Sequence, residues 1–199
     1  MEPRRCWSSA DPLYTAYHDE EWGRPVRDER GLYERLSLEG FQSGLSWLTI
    51  LRKREGFHEA FAEFDPEAVA RFDAADVERL LGNAAIVRHR GKIEATIANA
   101  RATLALRKEG MPLDQLVWKH RPASRPAPRS PSDWLASTPE SAALSKRLKS
   151  AGFRFVGPTT VYAAMQACGL VNDHLVDCHV REAVERELAA VLQGDVPLG

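Results

Sequence analysis

The chain of 199 residues suits one domain, its 44% hydrophobic content is enough for a buried core, and its net charge is −1 from 27 basic and 28 acidic residues. That balance argues against a general nucleic-acid coat protein, whose affinity would come from many phosphate contacts. Three cysteines make no disulfide framework, and with no signal peptide or long apolar run the chain reads as a protein of the reducing cytoplasm, with no membrane partner.

Nearly every periodic stretch has helical spacing, and none shows sustained strand alternation. In DPLYTAYHDEEWG, Tyr14 and Tyr17 stand one helical turn apart, and Trp22 follows. In the helix before Gly40, Leu32, Leu36 and Glu39 fall at i, i+4 and i+7, so a carboxylate continues an apolar stripe. Asp65-Pro66-Glu67 opens a short helix as cap, N1 proline and first-turn acid, and Asp73 caps the next, which ends at Gly82. A long helix follows in IEATIANARATLALRKEG, ending at Gly110. Residues 119–134, with KHRPASRPAPRSP and its four prolines, read as a surface connection within one domain of residues 1–199, because helices resume at Thr138-Pro139-Glu140. That helix stops near Ser150 at Gly152, another runs from Gly157-Pro158 to Gly169, and residues 180–199 form an individual tail that can extend as a helix. There is no internal repeat, and the fold class is all-α.

Three constellations carry chemistry. Cys6 and His18 near one end, with His174 and Cys178 near the other, have the donor set of a closed tetrahedral zinc site that would tie the termini together. His174 and Cys178, four apart, would project from one face of a helical turn. The alternative is that the cysteines are small buried hydrophobes. Next, the glycine-bounded hairpin SAGFRFVGP leaves free N–H groups at the start of its second helix, beside Lys146, Lys149 and Arg154. It has the form of a helix-hairpin-helix that grips a DNA backbone at Gly152, Gly157 and Lys149, or of an ordinary αα-corner. Finally, Glu39 among Tyr14, Tyr17, Trp22 and Trp47 suits a flat cationic ligand, which rings stack on and a carboxylate hydrogen-bonds. Otherwise Glu39 caps a helix or pairs with an arginine while the rings fill the core. The basic runs Arg52-Lys53-Arg54 and Arg88-His89-Arg90-Gly91-Lys92 read as solvated helix faces when taken alone.

Together, DPLYTAYHDEEWG, LEGFQSGLSWLTILRKRE, RHRGKI, FRFVGPTTVYAAMQACGLVNDH and the cysteine at 178 resemble the Tag-type family of 3-methyladenine DNA glycosylases I, across residues 6 to 178. The resemblance implies a helix-hairpin-helix glycosylase fold with one structural zinc per chain on Cys6, His18, His174 and Cys178. It implies an enzyme that flips 3-methyladenine out of alkylated double-stranded DNA, hydrolyses its N-glycosidic bond and releases the free base. The enzyme is expected to be a monomer and, because nothing in the chain marks a Schiff-base lysine, monofunctional. Glu39 and Tyr17 would recognise the base, Trp47 would stack on it, and Trp22 and Tyr14 would line the pocket. Gln42 and Leu45, in the turn before Trp47, would enter the duplex. One departure is that Trp7 follows Cys6 directly where the family pattern has an intervening glycine, which leaves the direction of Trp7 open. His179 is a conceivable substitute ligand, and Cys168 is expected to pack as an apolar residue. A zinc-stabilised DNA-binding module without catalysis and a zinc hydrolase are the competing functions; the latter needs an open metal position that four protein ligands would fill.

Overall fold

The computed structural model describes residues 3–194, and among them the chain is helical with no strand. In chain order the helices are α1 (Pro12–Glu20), α2 (Glu29–Gln42), α3 (Trp47–Arg52), α4 (Arg54–Ala60), α5 (Pro66–Val69), α6 (Ala74–Gly82), α7 (Arg90–Lys108), α8 (Leu113–Lys119), α9 (Pro139–Ser150), α10 (Pro158–Ala167) and α11 (Arg181–Gln193). Their starts follow local chemistry. Asp11, Asp28, Ser46, Asp65, Asp73 and Thr138 each accept a first-turn N–H, and prolines occupy the first turn of α1, α5, α9 and α10.

The central element is α2, whose residues from Leu32 to Phe41 are all buried. It runs through Gly40, where a Cβ would stand 3.4 Å from that of Phe155, and on to Gln42. Helices α7, α8 and α10 pack around it, and α9 packs on α10. Phe41, Phe57, Phe61 and Phe64 form one aromatic block at its side, each at most 1% exposed. Burial of one such ring stabilises by roughly 1.5–3 kcal/mol. Two of the charges that α2 carries inward are paired: Glu34 with Arg54 at 2.9 Å and His58 at 3.1 Å, and Arg35 with Glu21 at 2.7 Å.

The segment between α8 and α9 is irregular except for a 3-10 turn at Pro131–Asp133. It is fastened to the chain following α10: Arg125 pairs with Asp173 at 2.6 Å, and Trp134 Nε1 donates to the Asp173 carbonyl at 2.9 Å. The tail forms α11 over most of its length, and its last five residues lie outside those described. Among the described residues no helix is long and apolar enough to cross a membrane.

Candidate functional site

The four sulfur and imidazole donors meet. Cys6, His18, His174 and Cys178 are all buried, their donor atoms lie within 4.8 Å of one another, and the cluster can hold a metal ion. His174 Nδ1 is 3.3 Å from Cys6 Sγ and 3.4 Å from Cys178 Sγ, while His18 Nε2 is 3.5 Å from Cys178 Sγ. One expectation is corrected. His174 lies at a bend and Cys178 closes the turn that follows it; neither is on a helix, and Cys178 N–H donates to the Leu175 carbonyl at 2.9 Å. A tight turn also returns the chain after four residues, so the spacing survives without the helix.

The remaining ring nitrogens are held from behind. His174 Nε2 bonds the Trp22 carbonyl at 2.9 Å, and His18 Nδ1 bonds Asp19 at 2.7 Å. Such outer partners fix the tautomer and aim the other nitrogen at a metal. Asp19 also takes Arg5 at 2.7 Å and His179 at 3.0 Å, so His179 supports the cluster's outer shell rather than replacing a ligand. Gly23 follows from this closeness: at φ +83° its missing Cβ would sit 3.1 Å from His174 Nε2. The two thiols act on each other, with Cys178 held toward thiolate by its contact with Cys6, and Cys6 raised by that contact and by burial.

Beside the cluster lies a cavity of about 310 Å³. Its walls carry Trp7, Tyr14, Tyr17, Trp22, Trp47 and Trp134, and its polar lining is Glu39, Gln42 and Gln166. Trp7 resolves the question left by the missing glycine: it faces this cavity, with its ring 5.2 Å from Tyr14 and 5.0 Å from Trp22. Tyr17 is 5.3 Å from Trp47. Glu39 is 6% exposed and has neither hydrogen bond nor ion pair among the described residues. It therefore neither caps a helix nor pairs with an arginine. Burial pushes its carboxyl up to about 8, against a weaker pull from the charge of Arg35. Tyr17 is raised well above its ordinary range by burial and then by Glu39. Trp47 Nε1 is buried and likewise has no hydrogen-bond partner among the described residues.

The family-model comparison matches methyladenine glycosylase over residues 7–182. The chain belongs to the methyladenine glycosylase family. It is 53% identical over 178 residues to DNA-3-methyladenine glycosylase 1 of Escherichia coli (strain K12), covering 87% of this chain and 95% of that protein. A crystal structure of 3-methyladenine DNA glycosylase I superposes with a TM-score of 0.86 at 51% identity, covering 88% of this chain and 98% of that one. A further structure, a variant of 3-methyladenine DNA glycosylase I in complex with 3-methyladenine, superposes with a TM-score of 0.83 at 38% identity, covering 87% and 94%.

The sequence-derived residues fall at two places besides the metal cluster. Tyr14, Tyr17, Trp22, Glu39, Gln42 and Trp47 share the cavity, and Leu45 stands 41% exposed in the turn that follows Gln42. Gly152, Gly157 and Lys149 belong to the α9–α10 hairpin. Gly152 has φ +100°, the left-handed cap read from sequence, and Lys146 and Lys149 line an open groove with Pro158. Gly157 has open space where a Cβ would stand, at the uncapped start of α10. Two residues of α7 brace these turns. Lys92 donates to the carbonyls of Phe41 at 2.8 Å and Ser43 at 2.5 Å, and the Asn99 amide bonds both the N–H and the carbonyl of Arg154. Sequence reasoning missed Trp134 and Gln166 in the cavity wall. Cys168 is buried against Leu32 and Leu36, as an apolar residue should be.

Proposed function

We propose that this protein is a monofunctional DNA glycosylase that hydrolyses the N-glycosidic bond of 3-methyladenine in alkylated double-stranded DNA, the whole chain acting as one domain. The observation that carries the reading is Glu39: a buried carboxyl group without an ion-pair partner among the described residues, in a cavity walled by aromatic rings. Methylation at N3 makes adenine cationic, so the base brings the charge that Glu39 lacks and is already a good leaving group. Stacking on Trp47 and Tyr17 replaces the stacking lost when the nucleotide leaves the duplex, a loss of about a few kcal/mol. Gln42 and Leu45 enter the gap, and Lys149 with the hairpin backbone at Gly152 and Gly157 holds phosphates without reading sequence.

The metal is zinc, in a structural role. Zinc–sulfur and zinc–nitrogen bonds of about 2.3 and 2.0–2.1 Å place the donors of a tetrahedron about 3.6 Å apart, close to the sulfur–nitrogen separations of 3.3 to 3.5 Å in the cluster. Four protein donors fill the tetrahedron, which supports a closed site and disfavours a zinc hydrolase. Free, buried thiols suit a reducing compartment. A DNA-binding module without catalysis would leave Glu39 without a purpose. Incubation with methylated duplex separates the two readings: the glycosylase leaves abasic sites in unbroken strands, whereas the module leaves the duplex unchanged.

The state of Glu39 sets a pH dependence. Burial raises its carboxyl to about 8, so below that pH it is mostly protonated and attracts a cation poorly. The kcat/KM for 3-methyladenine excision is expected to rise with pH toward about 8 and then level. A profile flat from pH 6 to 9 would remove the carboxylate from the free enzyme's essential groups.

The hairpin assignment is tested by Gly157→Asp. The new side chain has room, so the fold and metal content should persist, while its charge opposes a phosphate. Binding to undamaged duplexes of any sequence should weaken by about tenfold, the effect of one lost charged contact. Unchanged affinity in the folded variant would assign the DNA contact to another surface.

A further inference from the structure

Gln166 reaches the cavity from α10, and its amide has a fixed direction. Its Nε2 donates to Asp173 Oδ2 at 2.8 Å. Asp173 is 2% exposed, and its carboxylate also accepts from the Tyr162 hydroxyl at 2.7 Å and from Arg125 at 2.6 Å. An ionised carboxylate only accepts hydrogen bonds, so the NH₂ of Gln166 must face Asp173. Its Oε1 is then the polar atom left for the cavity, and no donor among the described residues reaches it.

We propose that Gln166 is a specificity-determining residue that accepts one of the two N6 hydrogens of 3-methyladenine while Glu39 accepts the other, with Asp173 as the positioning residue that sets the amide. This rests on reading the cavity as the base pocket. In the alkylated nucleotide N3 carries the methyl and N9 the sugar, so the N6 hydrogens are the only N–H donors of the base. Two acceptors match two hydrogens. Guanine alkylated at the same nitrogen carries O6 there, an acceptor facing two acceptors. Binding energy alone discriminates well when a mismatched group leaves buried polar atoms unpaired. The wall therefore selects adenine over guanine among bases of equal charge. Asp173 holds more than the amide, since its carbonyl also anchors Trp134 of the cavity wall.

The test compares excision of 3-methyladenine and 3-methylguanine from the same methylated DNA by wild type, Gln166→Met, Gln166→Ala and Asp173→Asn, with free 3-methyladenine binding and melting temperature measured alongside. Both Gln166 variants should bind free 3-methyladenine roughly tenfold more weakly and lose at least roughly tenfold in the adenine-to-guanine excision ratio. Asp173→Asn, which lets the amide turn over, should lower the same ratio through a smaller effect. Affinity for undamaged DNA should stay constant. An unchanged ratio in either folded Gln166 variant overturns the proposal while leaving the glycosylase activity standing. A wild-type protein that releases no 3-methyladenine overturns the activity, and with it this role.

Discussion

Glu39→Gln should lower 3-methyladenine excision by roughly ten- to a hundred-fold, the loss of one hydrogen bond to a charged group of about 1.5–3 kcal/mol. Glutamine keeps the shape of the side chain on the Leu32 and Leu36 face but cannot ionise, and it turns one acceptor into a donor. Free 3-methyladenine should bind more weakly, while affinity for undamaged DNA should hardly change, because Gly157 and Lys149 lie on the hairpin rather than in the cavity wall. The same variant should be more stable. The Glu39 carboxyl is raised in the folded chain from 4.5 to about 8, so the folded state holds a proton that the unfolded state has released. Stability is therefore lost as pH climbs from about 4.5 through about 8, by on the order of a few kcal/mol. Glutamine removes that loss, and the gain in melting temperature should be larger at pH 8.5 than at pH 5. Wild-type excision in Glu39→Gln would make the carboxylate structural and the pocket assignment wrong.

Removal of the metal should unfold or severely loosen the chain. The cluster joins Cys6 and His18 to His174 and Cys178 across most of the sequence, and metal binding to such a site is coupled to folding. Cys178→Ser, or exhaustive chelation, should abolish the one zinc per chain proposed for the cluster. A chain of this size loses roughly 2–4 °C of melting temperature per kcal/mol, so a loss of several kcal/mol reads as a fall of more than about 10 °C. Excision should fall with it, because His174 neighbours Asp173, which holds both Gln166 and Trp134 in the cavity wall. Full stability after complete metal removal would contradict a structural site.

The extent to which this was legible in the sequence differs by residue for physical reasons. Helix starts at Asp65, Asp73 and Thr138 depend on local side-chain chemistry and were readable directly. The metal cluster was readable because cysteine and histidine donors are few, although the turn geometry at His174 and Cys178 was not. Glu39 showed itself through periodicity, but only the fold reveals that no arginine among the described residues forms an ion pair with it. Lys92 lay in a basic run that reads as a solvated face, yet it is 7% exposed and bonds the end of α2. In the run at 52–54, Arg52 stays exposed while pairing with Asp11, and Arg54 turns toward Glu21 and Glu34. Trp134 and Gln166 left no local signal, because the place of Trp134 depends on the Pro-rich segment docking onto Asp173 and the direction of Gln166 on its bond to the same residue.

The most direct test of the central claim is chromatography of the bases released when the purified chain acts on methylated duplex DNA. Free 3-methyladenine should appear with time in proportion to enzyme, from strands that stay unbroken. Duplex bound by the folded, metal-loaded protein with no purine released would contradict the account and leave only a DNA-binding module.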